Sequence, residues 1–182
     1  MKLILIRHGQ TLGNLENCYI GSRTDEELCE QGRAELQNRR FPAVRRVFTS
    51  PMKRCIQTAR LLYPGIEPEI IPDFRECDFG DFEGMTYADL NGREDFQRWV
   101  DSFGTLPFPN GESRTEVSER CLKAFDDLLA NRVDGDCAFI VHGTTIMSIM
   151  EAHAKPEGQY YDFQLRFGEG YVLEADGSYT KL

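Results

Sequence analysis

Leu3 to Ile6 form an unbroken apolar run that ends on Arg7, His8 and Gly9, and Phe139 to Val141 form another that ends on His142 and Gly143. Short continuous apolar runs bounded by turn residues fit strands buried on both faces. The pattern predicts strands at residues 2–7, 44–49, 69–72 and 137–142. Between them, apolar residues recur at helical spacing. Residues 51–63 carry Met52, Cys55, Ile56, Ala59 and Leu62, and residues 115–131 carry Val117, Cys121, Ala124, Phe125 and Leu128. Strands alternating with helices predict an α/β fold around a mainly parallel sheet. Residues 161–182 alternate around Asp176-Gly177, which predicts an antiparallel hairpin at the sheet edge. Ser50-Pro51 reads as a capping hydroxyl ahead of a first-turn proline, and Ser113 with Glu116 reads as a capping box.

Composition narrows the classes. A chain of 182 residues fits one domain over residues 1–182 and is long enough to bury a core. Apolar runs are far too short for a bilayer span, and the apolar stretch before Arg7 is too short for a secretory signal, so a cytoplasmic protein is expected. Six cysteines (18, 29, 55, 77, 121 and 137) include no CxxC pair. They read as reduced, half-buried thiols with no metal site. The net charge of −9 is uneven: residues 1–60 hold 11 Lys and Arg against 6 Asp and Glu, a surplus of +5, and the remainder therefore carries −14. An extended basic face for nucleic acid is not expected, whereas a small anion held by a few N-terminal arginines is.

Two strands that both end in His-Gly point to one place, because open α/β sheets bind ligands beyond the carboxyl ends of their strands. Arg54 supports this. It falls in the first turn of a predicted helix, where a cation opposes the macrodipole, so a local rule is broken beside the candidate site. A pocket holding Arg7, Arg54 and helix-terminal N–H groups suits a phosphate. Arg39-Arg40 and Arg45-Arg46 read as solvated faces, and His153, among Ile146, Met147, Ile149 and Met150, reads as structural.

Five blocks now carry a resemblance. Arg7-His8-Gly9-Gln10-Thr11 with Asn14, Thr49 to Ala59 around Arg54, Glu76 to Gly84, Asn110-Gly111-Glu112-Ser113 and Val141-His142-Gly143 occur in this order. Together they resemble the histidine phosphatase superfamily in its phosphoglycerate mutase-like branch. The resemblance implies a three-layer α/β/α sandwich with a mostly parallel central sheet and an antiparallel C-terminal edge. It implies a phosphohistidine enzyme with His8 as nucleophile, Arg7, Arg54 and His142 on the phosphoryl oxygens, and Asn14 and the Gly143-Thr144 backbone as further donors. Glu76 is the implied acid and base, with Glu83 the alternative. Chemistry supports these roles, since phosphoryl transfer needs fixed cations around an in-line nucleophile and guanidiniums also disfavour imidazole protonation. With that charge supplied by side chains, no metal and no cofactor are expected.

The finer assignment separates two kinds of enzyme. Residues 84–110 offer only Arg93 and Arg98 as cations, and Ile20 stands before Gly21 where mutases resembling this chain place a hydroxyl. A phosphatase acting on a small phosphomonoester is therefore favoured over a cofactor-dependent phosphoglycerate mutase. The compact length and the block Gly21 to Asp25 resemble α-ribazole phosphatases of cobalamin biosynthesis and broad-specificity phosphatases. Phe96, Trp99, Phe103, Leu106 and Phe108 are read either as an aromatic lid for a flat leaving group or as crossover packing. A catalytically inactive phospho-ligand-binding module is the reading from another class, and the intact set of candidate residues argues against it. Oligomeric state is not legible.

Overall fold

The computed structural model describes residues 1–131 and 133–182. In chain order, strand β1 (Lys2–Arg7) is followed by α1 (Leu12–Leu15), α2 (Glu30–Gln37), β2 (Arg46–Thr49), α3 (Lys53–Leu62) and β3 (Glu69–Ile70). Then come α4 (Tyr87–Leu90), α5 (Glu94–Asp101), α6 (Arg114–Asn131), β4 (Cys137–Val141), α7 (Gly143–His153), β5 (Gly170–Glu174) and β6 (Tyr179–Lys181). The sheet order is β3-β2-β4-β1-β5-β6. β1, β2, β3 and β4 pair in parallel, whereas β5 and β6 add an antiparallel edge.

Strand periodicity builds the layers. In β1 and β4, Leu3, Leu5, Cys137, Phe139 and Val141 face one core, with Phe125 and Leu128 of α6 and Ile146, Ile149 and Met150 of α7. The alternating Ile4, Ile6, Ala138 and Ile140 face a second core with Cys55 and Ala59 of α3. The result is the expected α/β/α sandwich. Both central strands are buried on both faces, which is why their sequences read as continuous rather than alternating apolar runs.

Phe139 anchors the larger core. It is fully buried, stacks on Phe48 at 5.2 Å between ring centroids and lies 5.0 Å from Phe125. Phe139→Ala should cost about 3–5 kcal/mol of stability through lost burial and a residual cavity. Urea unfolding checks this as a lower midpoint with an unchanged slope.

The local expectations fare unevenly. The Ser113–Glu116 box caps α6 as expected, with Glu116 N donating to Ser113 Oγ at 3.2 Å and Ser113 N donating to Glu116 Oε2 at 2.7 Å. Ser50-Pro51 does not start α3. The cap position is Met52, without a side-chain bond of its own, two residues after Ser50. The strand expected at 69–72 is only Glu69–Ile70, since Pro72 opens a short 3₁₀ turn to Phe74. The strand expected at 44–49 starts at Arg46, and the expected hairpin is confined to β5 and β6 around Gly177, whose φ is +89°. All six cysteines are free. Among the described residues, no helix is long and apolar enough to cross a membrane. Nor does any group of three or more His, Cys, Asp and Glu side chains form a metal-holding cluster there.

Candidate active site

Three parallel strands end at one level. The β1–β4 register sets Arg7 beside Val141, and the β2–β4 register sets Thr49 beside Ile140. His8 N donates to Val141 O and Ser50 N donates to Ile140 O, so the pairing runs one residue past each strand. His8, His142 and Ser50 are thereby brought together at the carboxyl edge of the sheet, the usual ligand position in such folds.

The hydrogen bonds of His8 determine its tautomer. Its Nδ1 lies 2.7 Å from the Gly9 carbonyl, which can only accept, so Nδ1 carries the proton and Nε2 keeps a lone pair. Burial, then the charge of Arg54, then that of Arg7, hold the imidazole well below its ordinary pKa of 6.5. His8 is therefore a neutral base at the floor of a chamber of about 460 Å³.

Arg7 and Arg54 are placed differently from one another. Arg7 lines the chamber, stacks 3.9 Å over the Phe167 ring and donates from Nη1 to Leu165 O. Arg54 is gripped by backbone carbonyls beside the two histidines. It is fully buried, donating to Thr24 O at 2.9 Å and to Gly21 O at 3.0 Å. The two guanidiniums are thus held differently, Arg7 against an aromatic ring and Arg54 by backbone carbonyls. The loop from Gly21 to Thr24 folds over the start of α3 and takes up the Arg54 fork, while the charge still acts on both histidines. In both arginines Nε is buried without a hydrogen-bond partner among the described residues. Buried donors left unpaired are rare enough to call for an explanation, and a bound anion is one.

His142 stands behind His8 with ring centroids 5.1 Å apart. Its Nε2 lies 2.7 Å from Ser50 Oγ, and Met52 N donates to that same oxygen. Ser50 is thus a histidine-orienting hydroxyl instead of the expected helix cap. Burial, the Arg54 charge and His8 keep His142 neutral as well. Its contact of 3.7 Å with Glu76 Oε2 is accordingly not an ion pair.

Glu76 lines the chamber, and burial raises its pKa above the ordinary 4.5 despite bonds from Thr144 and Cys77 and the charges of Arg54 and Arg7. Oε1 accepts from Cys77 N at 2.8 Å and from the Thr144 hydroxyl. Oε2 is left to carry a proton. The Thr144 side chain is engaged by Glu76, which leaves its backbone in the first turn of α7 for an anion. Glu83 does not line the chamber. It accepts from Gly21 N at 3.2 Å and props up the loop that holds Arg54. Gly21 is needed there because an added Cβ would clash with the backbone carbonyl of Cys77 as well as with Glu83 Oε2. Asn14 lines the chamber and caps α1, accepting from Thr11 N at 3.1 Å through Oδ1, which leaves its Nδ2 hydrogens for another acceptor.

The segment read as a lid divides. Phe96 and Phe108 are buried in a third core with Phe82 and Leu90, while Phe103 is 83% exposed and Leu106 48% exposed. Trp99 and Phe108 reach the chamber wall, with ring centroids 4.7 Å apart. His153 is not among the chamber-lining residues, and its Nε2 lies 3.1 Å from Asp126 Oδ1. Phe167, Arg114 and Tyr160 also line the chamber and were not expected from sequence. The one available signal was Arg114 at the first position of a helix, an unfavourable place for a cation.

Comparison with known proteins bears on this geometry. A family model for the histidine phosphatase superfamily (branch 1) matches residues 3–182. The 2,3-bisphosphoglycerate-dependent phosphoglycerate mutase of Parvibaculum lavamentivorans is 30% identical, over 96% of this chain and 90% of its own. The alpha-ribazole phosphatase of Shigella flexneri shares the fold with a TM-score of 0.85 at 24% identity, over 100% of this chain and 95% of its own. A phosphoglycerate mutase from Thermus thermophilus superposes with a TM-score of 0.77 at 25% identity, covering 100% and 98% of the two chains.

Proposed function

The chain belongs to the histidine phosphatase superfamily, branch 1, and we propose that within it the protein is a phosphomonoesterase working through a phosphohistidine on His8. The observation that carries this reading is the state of His8: a buried, neutral imidazole with its Nδ1 proton held by Gly9 and its Nε2 lone pair free. Nε2 attacks phosphorus while the bond to the leaving oxygen breaks, and Glu76 passes its proton to that oxygen. Water then attacks phosphorus, the Glu76 carboxylate takes its proton, the P–N bond breaks, and inorganic phosphate leaves with His8 regenerated. Arg7, Arg54 and the α7 N-terminus stabilise charge on the transferring group. Asn14 and the Gly143 and Thr144 backbone add donors, and His142 stabilises the same oxygens from behind.

Hydrolysis is favoured over mutase chemistry by the chamber wall, although curated relatives carry mutase names. A mutase must hold a second anionic group while the intermediate waits. Among the described residues the lining cations are Arg7 and Arg114, and Arg114 is already bonded to Glu151. The substrate class is a small organic phosphomonoester. α-Ribazole 5′-phosphate is the specific candidate, with cobalamin biosynthesis in the cytoplasm as its setting. Incubation with 3-phosphoglycerate and 2,3-bisphosphoglycerate, beside a panel containing α-ribazole 5′-phosphate and sugar phosphates, tests the choice. Phosphate release outrunning isomer formation by about tenfold or more is expected. Isomerisation outrunning release would establish the mutase, and no turnover at all would leave a phospho-ligand-binding module.

A further inference from the structure

Arg114 is held in the chamber wall by a small apparatus of its own. Its Nη2 donates to both oxygens of Glu151, at 2.7 Å each, and its guanidinium lies 3.8 Å over the Tyr160 ring. Glu151 Oε1 also accepts from Tyr160 N at 3.1 Å, so one carboxylate ties the arginine to the ring it covers. The position at the start of α6 opposes the helix dipole. Helix stability therefore does not account for it. Among the described residues, Nε and Nη1 meet no acceptor, and the side chain lines the same chamber as His8 and Glu76.

The surroundings define what those hydrogens meet. Tyr19, Phe79, Trp99, Phe108, Tyr160 and Tyr161 supply much of the chamber wall. Rings of this kind favour flat, polarisable groups. Glu151 offsets the Arg114 charge, which makes a second anion on the substrate a poor match. What remains is a set of fixed, planar donors beside aromatic faces.

We propose that Arg114, locked over Tyr160 by Glu151, is a specificity-determining residue that reads a hydrogen-bond acceptor on a flat, uncharged leaving group. The proposal rests on the phosphomonoesterase reading and goes further, naming the leaving group and the residue that selects it. Arg114 touches the leaving group and takes no part in proton or phosphoryl transfer.

The test compares naphthylmethyl phosphate with quinolinylmethyl phosphates in which the ring nitrogen is moved from position to position, at a pH where the nitrogen is unprotonated. These substrates share shape and a poor alkoxide leaving group, so kcat/KM ratios isolate the acceptor. At least one quinoline isomer should exceed the naphthyl compound by about tenfold, the worth of one well-placed hydrogen bond. Decahydronaphthylmethyl phosphate, which is not flat, should be the poorest of the set. Arg114→Met should bring the quinoline-to-naphthyl ratio to within about twofold of one. Arg114→Lys, which keeps the charge without the planar fork, should retain only part of the preference. Glu151→Gln should raise the relative rate of a carboxylated naphthylmethyl phosphate, a change that a merely structural pair would not produce. Phosphate release without any isomer preference, or a preference that survives in both Arg114 variants, would overturn the proposal and leave the phosphatase reading standing. No release from any of these substrates would overturn both.

Discussion

His8→Ala should lower phosphate release by roughly four orders of magnitude or more, because the group that forms the covalent intermediate is gone and no neighbour can replace it. His142 is the only other imidazole close by. Its Nε2 is taken by Ser50 and it is fully buried behind His8, so it has no in-line path to the phosphorus. The fold should survive the substitution. His8 is a buried polar group whose backbone bond to Val141 does not depend on its side chain. Rapid acid-free quenching with labelled substrate checks the chemistry. Wild-type protein should retain label that is lost in acid and kept in base, as a phosphoramidate requires, and His8→Ala should retain none. Acid-stable label, or label still bound in the variant, would remove His8 as nucleophile.

Glu76→Gln should reduce turnover of alkyl phosphates by about 10²–10⁴-fold while affecting para-nitrophenyl phosphate far less, since an activated phenolate leaves without a proton. The pH dependence follows from the sign of the shift. Burial raises the Glu76 pKa above 4.5, so the acid form extends to higher pH than for a free carboxylate, and the rate for alkyl phosphates falls as pH rises through that raised value. The His8 pKa is lowered, so its neutral form persists as pH drops well below 6.5, and the acid limb lies far to that side. Glu76→Gln should erase the alkaline limb for alkyl phosphates, and Glu83→Gln should leave its position unchanged. An alkaline limb that moves only in Glu83→Gln would transfer the role to Glu83.

Much of the site was legible because it sits where strand periodicity stops. Apolar runs ending in His-Gly located His8 and His142, and the broken helix-dipole rule at Arg54 marked a residue that proves fully buried. Ser50 shows the limit of such reasoning. Ser-Pro before an apolar helix is a sound capping pattern, yet here the hydroxyl spends its bond on His142, 92 residues further along the chain. The same oxygen accepts from Met52 N just ahead of α3, so the local bond forms as well, and the tertiary bond to a buried imidazole is the one no local pattern could show. Glu76 and Glu83, seven positions apart, are separated in sequence only by the family resemblance, which favours Glu76. The chain path separates them, turning one carboxylate toward Thr144 and the other toward Gly21.

By itself, the chain's order of residues determined the α/β alternation, the double burial of β1 and β4, the capping of α6 and the delivery of two imidazoles to strand ends. These properties follow from hydrophobic period and from bonds between residues a few positions apart. Tertiary structure alone decided that Arg54 is clasped by the Gly21–Thr24 loop, that Thr144 serves Glu76, and that Phe167 and Arg114 join the chamber wall. Those contacts join segments separated by dozens of residues, and they exist because the sheet places β4 between β1 and β2 in a single parallel register. No periodicity in the sequence encodes which distant side chains such a register brings within hydrogen-bonding distance.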